Sequence, residues 1–133
     1  MKKKLETAYG VIGLGRFGAA LAMMLAQSGN EVIAVDRDEK KVKEMRQYTD
    51  CAFVTDDLSS DTLKEIGIQN CDVVIICIGE KVDVSVLTTM SVIELGVPRV
   101  IAKALSPEQG AVLGKLGAEV VYPERDMALR LGK

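Results

Sequence analysis

The 133-residue chain contains no histidine and no tryptophan, and aromatic residues make up only 4% of it. Without histidine, the commonest zinc ligand and the commonest general base are both missing. Cysteine is scarce: Cys51, Cys71 and Cys77 show no C-x-x-C spacing, and an odd, unpaired set suits a reducing cytosol. Cys77 lies within the apolar run 73–78, where a thiol acts as a small hydrophobe. Charge of one sign is also lacking. Net charge is −2 and no basic stretch exceeds Lys2-Lys3-Lys4, so a nucleic-acid partner is not expected. That leader runs into Leu5-Glu6-Thr7, with an acid where a secretory signal would be apolar. No apolar run approaches the roughly 20 residues that span a bilayer, so no direct membrane insertion is expected.

What remains is 48% hydrophobic and 27% charged, the composition of one globular domain. Short apolar runs alternate with segments of helical period. Strands are expected at 8–13, 31–36, 51–55, 72–78, 99–102 and 119–122. The first helix carries Phe17, Ala20, Leu21, Met24 and Leu25 at helical spacing and stops at Ser28-Gly29-Asn30. The second, from Asp38 to about Gln47, offers only Val42 and Met45 as a buried stripe. The third is capped by Ser59 or Ser60 and closed by Gly67, the fourth runs from 82 to 95, and the fifth from Pro107 to Leu116, closed by Gly117. After Pro123, residues 126–131 read as the beginning of a last helix. Strand and helix alternating six times define an α/β Rossmann-type fold: a doubly wound, parallel six-stranded sheet of order 3-2-1-4-5-6. Its ligand crevice is expected at the carboxyl ends of strands one and four.

Gly13-Leu14-Gly15-Arg16-Phe17-Gly18 follows a strand and opens a helix, the context in which G-x-G-x-x-G has a mechanism. Gly13 permits a tight turn, Gly15 admits a pyrophosphate, and Gly18 allows close packing of helix on sheet. The unpaired amides of the helix start then hold the phosphates. Asp36 ends the second strand, 18 residues beyond Gly18, where a carboxylate accepts both ribose hydroxyls and disfavours a 2′-phosphate. The expected ligand is therefore ATP, ADP or NAD(H). Arg37 is either a moderator of that charge or a solvated turn residue. One of Asp56 and Asp57 is a candidate for the adenine amino group, with helix capping the alternative. Ile78 and Gly79 follow the fourth strand, where Gly79 either gives backbone clearance beside the phosphates or simply ends the strand, and Lys103, after the fifth, is a candidate phosphate cation or a solvated surface lysine. Arg16 opposes the helix dipole where it stands, which favours a role toward an additional phosphate, in cis or on a neighbouring subunit.

An enzyme is not expected. Tyr9, Tyr48 and Tyr122 pair with no suitably placed lysine, and Ser85, Thr88 and Thr89 lie in an amphipathic helix without a base.

Val11–Gly18, Ala34–Asp36, Leu63–Gly67, Leu87–Thr89, Ala102–Ala104, Leu116–Ala118 and Pro123–Met127 together resemble the RCK (TrkA-N) domain. That domain is the cytosolic regulatory part of Ktr/Trk-type potassium uptake systems, with the Ktr gating subunit as the nearest likeness. The resemblance implies control of an integral-membrane potassium-translocating subunit from the inner face of the cell membrane. It also implies homodimers, assembling into a ring of eight, whose shape responds to ATP/ADP exchange or to NAD(H). Carried over by position, Gly13, Gly15, Phe17 and Gly18 belong to the phosphate turn and Asp36 holds the ribose. Arg16 meets the terminal phosphate, and Glu124 helps hold a divalent or monovalent cation there. Two departures stand out. Asp56-Asp57-Leu58 replaces the Gly-Asp-Ala of many members, and the family's carboxyl-terminal subdomain has no counterpart in residues 1–133, so an excised or shortened domain is expected. The competing readings are an NAD-dependent oxidoreductase fragment and a free-standing NAD(H)-responsive module.

Overall fold

A computed structural model describes residues 7–132; the Lys2–Lys4 leader lies outside the described residues. Six strands form one parallel sheet in the order β3-β2-β1-β4-β5-β6. They are β1 (Ala8–Ile12), β2 (Glu31–Asp36), β3 (Ala52–Val54), β4 (Val73–Ile76), β5 (Arg99–Lys103) and β6 (Glu119–Val121). The helices between and after them are α1 (Arg16–Gln27), α2 (Glu39–Met45), α3 (Ser60–Ile66), α4 (Val82–Glu94), α5 (Pro107–Leu116) and α6 (Pro123–Leu131). A 3-10 turn, Ile68–Asn70, which the periodicity does not announce, leads into β4.

The apolar runs become strands covered on both faces. All four residues of β4 are buried, as a central parallel strand requires. One cluster, built on Val11, Ala34, Val42 and Ile75, lies under α1 and α2. The other, built on Ile12, Val35, Leu63, Ile76 and Leu113, lies under α3, α4 and α5. Local chemistry sets the helix ends. Asp38, Ser59 and Ser106 accept from backbone amides at the starts of α2, α3 and α5, while Gly67 and Gly117 close α3 and α5 in the left-handed conformation.

Three helices differ from expectation. The buried face of α1 is Gly18 and Ala22, and Met24 is 63% exposed. Small residues let the helix approach the sheet, so the larger apolar side chains sit at its flanks or outside. In α4 the hydroxyl residues Ser85, Thr88 and Thr89 are buried and Leu87 is exposed. Thr89 donates its hydroxyl to the Ser85 carbonyl at 2.8 Å, which satisfies it within the helix. Finally, α6 is a nine-residue helix beginning at Pro123, where the missing N–H costs nothing, and it buries none of its residues.

Candidate functional site

Register brings the site together. Ile12 is level with Val35 of β2 and Ile76 of β4, so the next residues, Gly13, Asp36 and Cys77, emerge side by side at the carboxyl rim. After β3 the chain crosses to the other side of β1, leaving a crevice between the β1–α1 and β4–α4 connections. A groove of about 450 Å³ occupies that crevice, floored by Ile12, Val35, Leu58 and Ile78.

The glycine turn is built as its spacing predicts. Gly13 sits at φ +100°, and a Cβ there would meet the Cys77 carbonyl oxygen at 2.8 Å. A Cβ on Gly18 would lie 1.9 Å from the Gly13 oxygen, so α1 can cross the turn this closely only with glycine. Gly15 has no protein atom within 4 Å of its Cβ position; that space is open to a ligand. The Gly13 N–H is satisfied by the Val35 carbonyl at 2.8 Å. The N–H groups of Gly15, Arg16, Phe17 and Gly18 find no acceptor among the described residues. No side chain caps α1 and no acid stands in its first turn, so its positive end, with Gly15 at the groove, is not offset from within the helix.

Asp36 closes one side. Its Oδ2 accepts the Leu14 N–H at 2.6 Å and its Oδ1 the Asp38 N–H at 2.8 Å. Each oxygen keeps further lone-pair capacity for a sugar hydroxyl. Arg37 and Asp56 stand exposed at the same end of the groove's lining, and Gly79 and Lys103 line it as well. The Lys103 side chain is only 13% exposed, and its Nζ lies 3.4 Å from where a Gly79 Cβ would stand, so the glycine gives the lysine its path.

Five sequence candidates do not line the groove. Gly18 is buried beneath the turn, as its packing role requires, and Phe17 packs against the cluster under α1. Arg16, the first residue of α1, is exposed and does not line the groove. Asp57 is turned the other way, accepting from the Ser59 N–H at 3.0 Å and the Thr62 hydroxyl at 2.5 Å. Those bonds, Thr62's foremost, hold its carboxyl below the usual carboxylate range and tie Asp57 to the start of α3, beside the Ser59 cap. Glu124 is 76% exposed and lies 3.9 Å from Lys103 Nζ. No group of three or more metal-ligating side chains stands together among the described residues, so Glu124 alone does not form a cation cage.

Sequence reasoning missed Lys41, Lys81, Leu58 and Cys77 as lining residues. Leu58 had a signal, being the one apolar residue in Thr55-Asp-Asp-Leu-Ser-Ser60. Lys41 had none to separate it from Lys40 and Lys43. The Cys77 thiol is pushed up to about 12, chiefly by burial, which makes it a poor nucleophile despite its position.

Parallel order, glycine turn and strand-end acid define a Rossmann-type nucleotide-binding domain. Within that class the chain belongs to the TrkA-N domain family, whose model matches residues 9–123. It is 43% identical over 128 residues to the Ktr system potassium uptake protein C of Bacillus subtilis (strain 168), covering 96% of this chain and 58% of that protein. To the Ktr system potassium uptake protein A of Vibrio alginolyticus it is 40% identical over 129 residues, covering 96% and 59%. The chain thus spans little more than half the length of these relatives. Among solved structures it resembles GsuK bound to ADP (TM-score 0.77, 27% identity, 95% of this chain and 33% of that one). It also resembles the GsuK channel bound to NAD (TM-score 0.78, 25% identity, 99% and 24%).

Proposed function

We propose that this domain is a nucleotide sensor, taking ATP and ADP or NAD(H), that regulates a potassium-translocating membrane protein from the cytoplasmic side. The observation that carries this reading is the run of unpartnered amides that begins at Gly15, which lines the same groove as the Asp36 carboxylate. That pairing suits a diphosphate joined to a ribose, and the groove volume suits one nucleotide. The Ktr relatives supply the potassium-transport context, and their names describe uptake proteins rather than enzymes.

A ligand shifts a two-state assembly only by its differential affinity for the states. ATP and ADP differ by one phosphate, so discrimination falls to groups beyond the diphosphate. In this reading Arg16, exposed at the start of α1, contacts the last phosphate in cis or on a second copy, and the working form is a homodimer or larger ring. Glu124, paired with Lys103, would hold a cation only with phosphate oxygens or a second chain completing the shell. Direct insertion is not part of this reading: no helix among the described residues is long and apolar enough to cross a membrane.

Calorimetric titration with ATP, ADP, NAD and NADH tests the class of ligand. Micromolar or tighter binding of an adenylate with discrimination between ATP and ADP is the expected result. A strong preference for NADH, which the NAD-bound relative makes the second reading, would move the sensor to redox state. Binding of none of the four would refute both. Copurification of the full-length protein with a potassium-transporting membrane subunit tests the partner.

A further inference from the structure

We propose that Asp36 also positions the phosphate turn, so that it controls binding of polyphosphate ligands even when they carry no sugar hydroxyls. The proposal rests on the nucleotide reading of the groove and deepens it. Asp36 makes the one side-chain hydrogen bond that reaches the 13–18 turn among the described residues, through Oδ2 to the Leu14 N–H at 2.6 Å. Its other oxygen accepts from Asp38 at the start of α2, so the carboxylate is fixed before any ligand arrives. Leu14 is thereby held at two points: its amide by Asp36, and its side chain, 2% exposed, in the cluster beneath α1. The next four N–H groups are the unpartnered ones, and their aim depends on where Leu14 is held.

A turn already in its binding geometry loses less freedom when phosphate arrives. The acid therefore contributes twice, once through the ribose and once through the amides it keeps aligned. The first contribution vanishes with a ligand lacking both hydroxyls, whereas the second does not. A charge-assisted hydrogen bond of this kind corresponds to about tenfold or more in an equilibrium constant.

Calorimetry with ATP and with 2′,3′-dideoxy-ATP, on wild type, Asp36→Asn and Asp36→Ala, separates the two contributions. Amide exchange at Leu14, followed by NMR without ligand, gives an independent readout. We expect Asp36→Ala to weaken dideoxy-ATP by about five- to tenfold and to speed Leu14 exchange while β4 amides stay protected. Asp36→Asn keeps one acceptor oxygen and should fall between; it carries the comparison if the alanine variant does not fold. If the variants lose affinity for ATP alone, with dideoxy-ATP and Leu14 exchange unchanged, Asp36 serves only the ribose and the proposal is overturned. If wild type binds neither ligand, the nucleotide reading itself falls, and the proposal with it.

Discussion

Alanine at Gly15 and alanine at Gly18 should have opposite signatures, although each adds one methyl three residues apart. At Gly18 the methyl would sit 1.9 Å from the Gly13 carbonyl oxygen, 3.0 Å from its carbon and 3.1 Å from Cys77 Cβ. The closest atoms belong to backbone, so α1 must lift from the sheet. Overpacking of this kind costs about 1–3 kcal/mol, which for a domain of this size lowers the melting temperature by roughly 3–15 °C. At Gly15 the added methyl meets nothing within 4 Å, and φ is −69°, which alanine adopts freely. Lower entropy of the unfolded chain should then stabilise the variant by about 0.4–1 kcal/mol. The open space is where a phosphate oxygen approaches the amides at about 2.9 Å, and the methyl intrudes on it. Gly15→Ala should therefore melt at or above wild type yet bind adenylates at least about tenfold more weakly, a loss of about 1.4 kcal/mol. Paired thermal melts and calorimetry decide it. Wild-type affinity in a folded Gly15→Ala protein would refute the placement of phosphate on this turn.

Three further outcomes are expected. Arg16→Ala should weaken ATP while leaving ADP within about twofold, and equal losses in titration of both would show that Arg16 does not read the last phosphate. A thiol reagent at pH 8 should modify exposed Cys51 quickly in the folded chain and spare Cys71 and Cys77, which burial raises to about 11 and about 12; rapid reaction of all three would contradict the packing. Because the folded-state pKa of Asp57 is depressed, chiefly by Thr62, its contribution is present above the ordinary value of 3.8 and is lost as pH falls through the folded value. Asp57→Asn should accordingly melt below wild type at pH 7, with the gap narrowing as pH falls below the ordinary value of 3.8; a gap that does not narrow at all over that range would mean the carboxylate's charge is not what holds α3.

Much of the architecture was legible because each element announces itself twice. The run 73–78 is both continuously apolar and bounded by turn residues, and the glycine motif lies between a strand and a helix. Asp36 was legible from its distance to Gly18. Position along a helix was less so. Met24 matches the spacing of Leu21 and Leu25, yet contact distance to the sheet is set by Gly18 and Ala22, and periodicity does not weigh side-chain size. In α4 Thr89 is buried because the backbone satisfies its hydroxyl locally, through the Ser85 carbonyl, a compensation that hydropathy does not register. Groove residues from distant segments, such as Lys41 in α2 and Lys81 at the start of α4, became visible only when the fold brought those helix starts to one rim. Asp57 was equivocal in the sequence because an acid after a strand serves a ligand or the following helix equally well; Ser59 and Thr62 decide for the helix.

The floor of the groove has a consequence for how such a domain diversifies. Ile12 and Val35 at once line the groove and belong to the cluster that holds α3, α4 and α5 to the sheet. Replacing them to accommodate a different guest would loosen the scaffold itself. Arg37, Lys41, Asp56 and Lys81, by contrast, line the same cavity from exposed positions and are free to vary at little cost to folding. Preference among related guests is thus separable from the ability to host any of them, and an engineer seeking a new selectivity would edit the lip and leave the bed untouched.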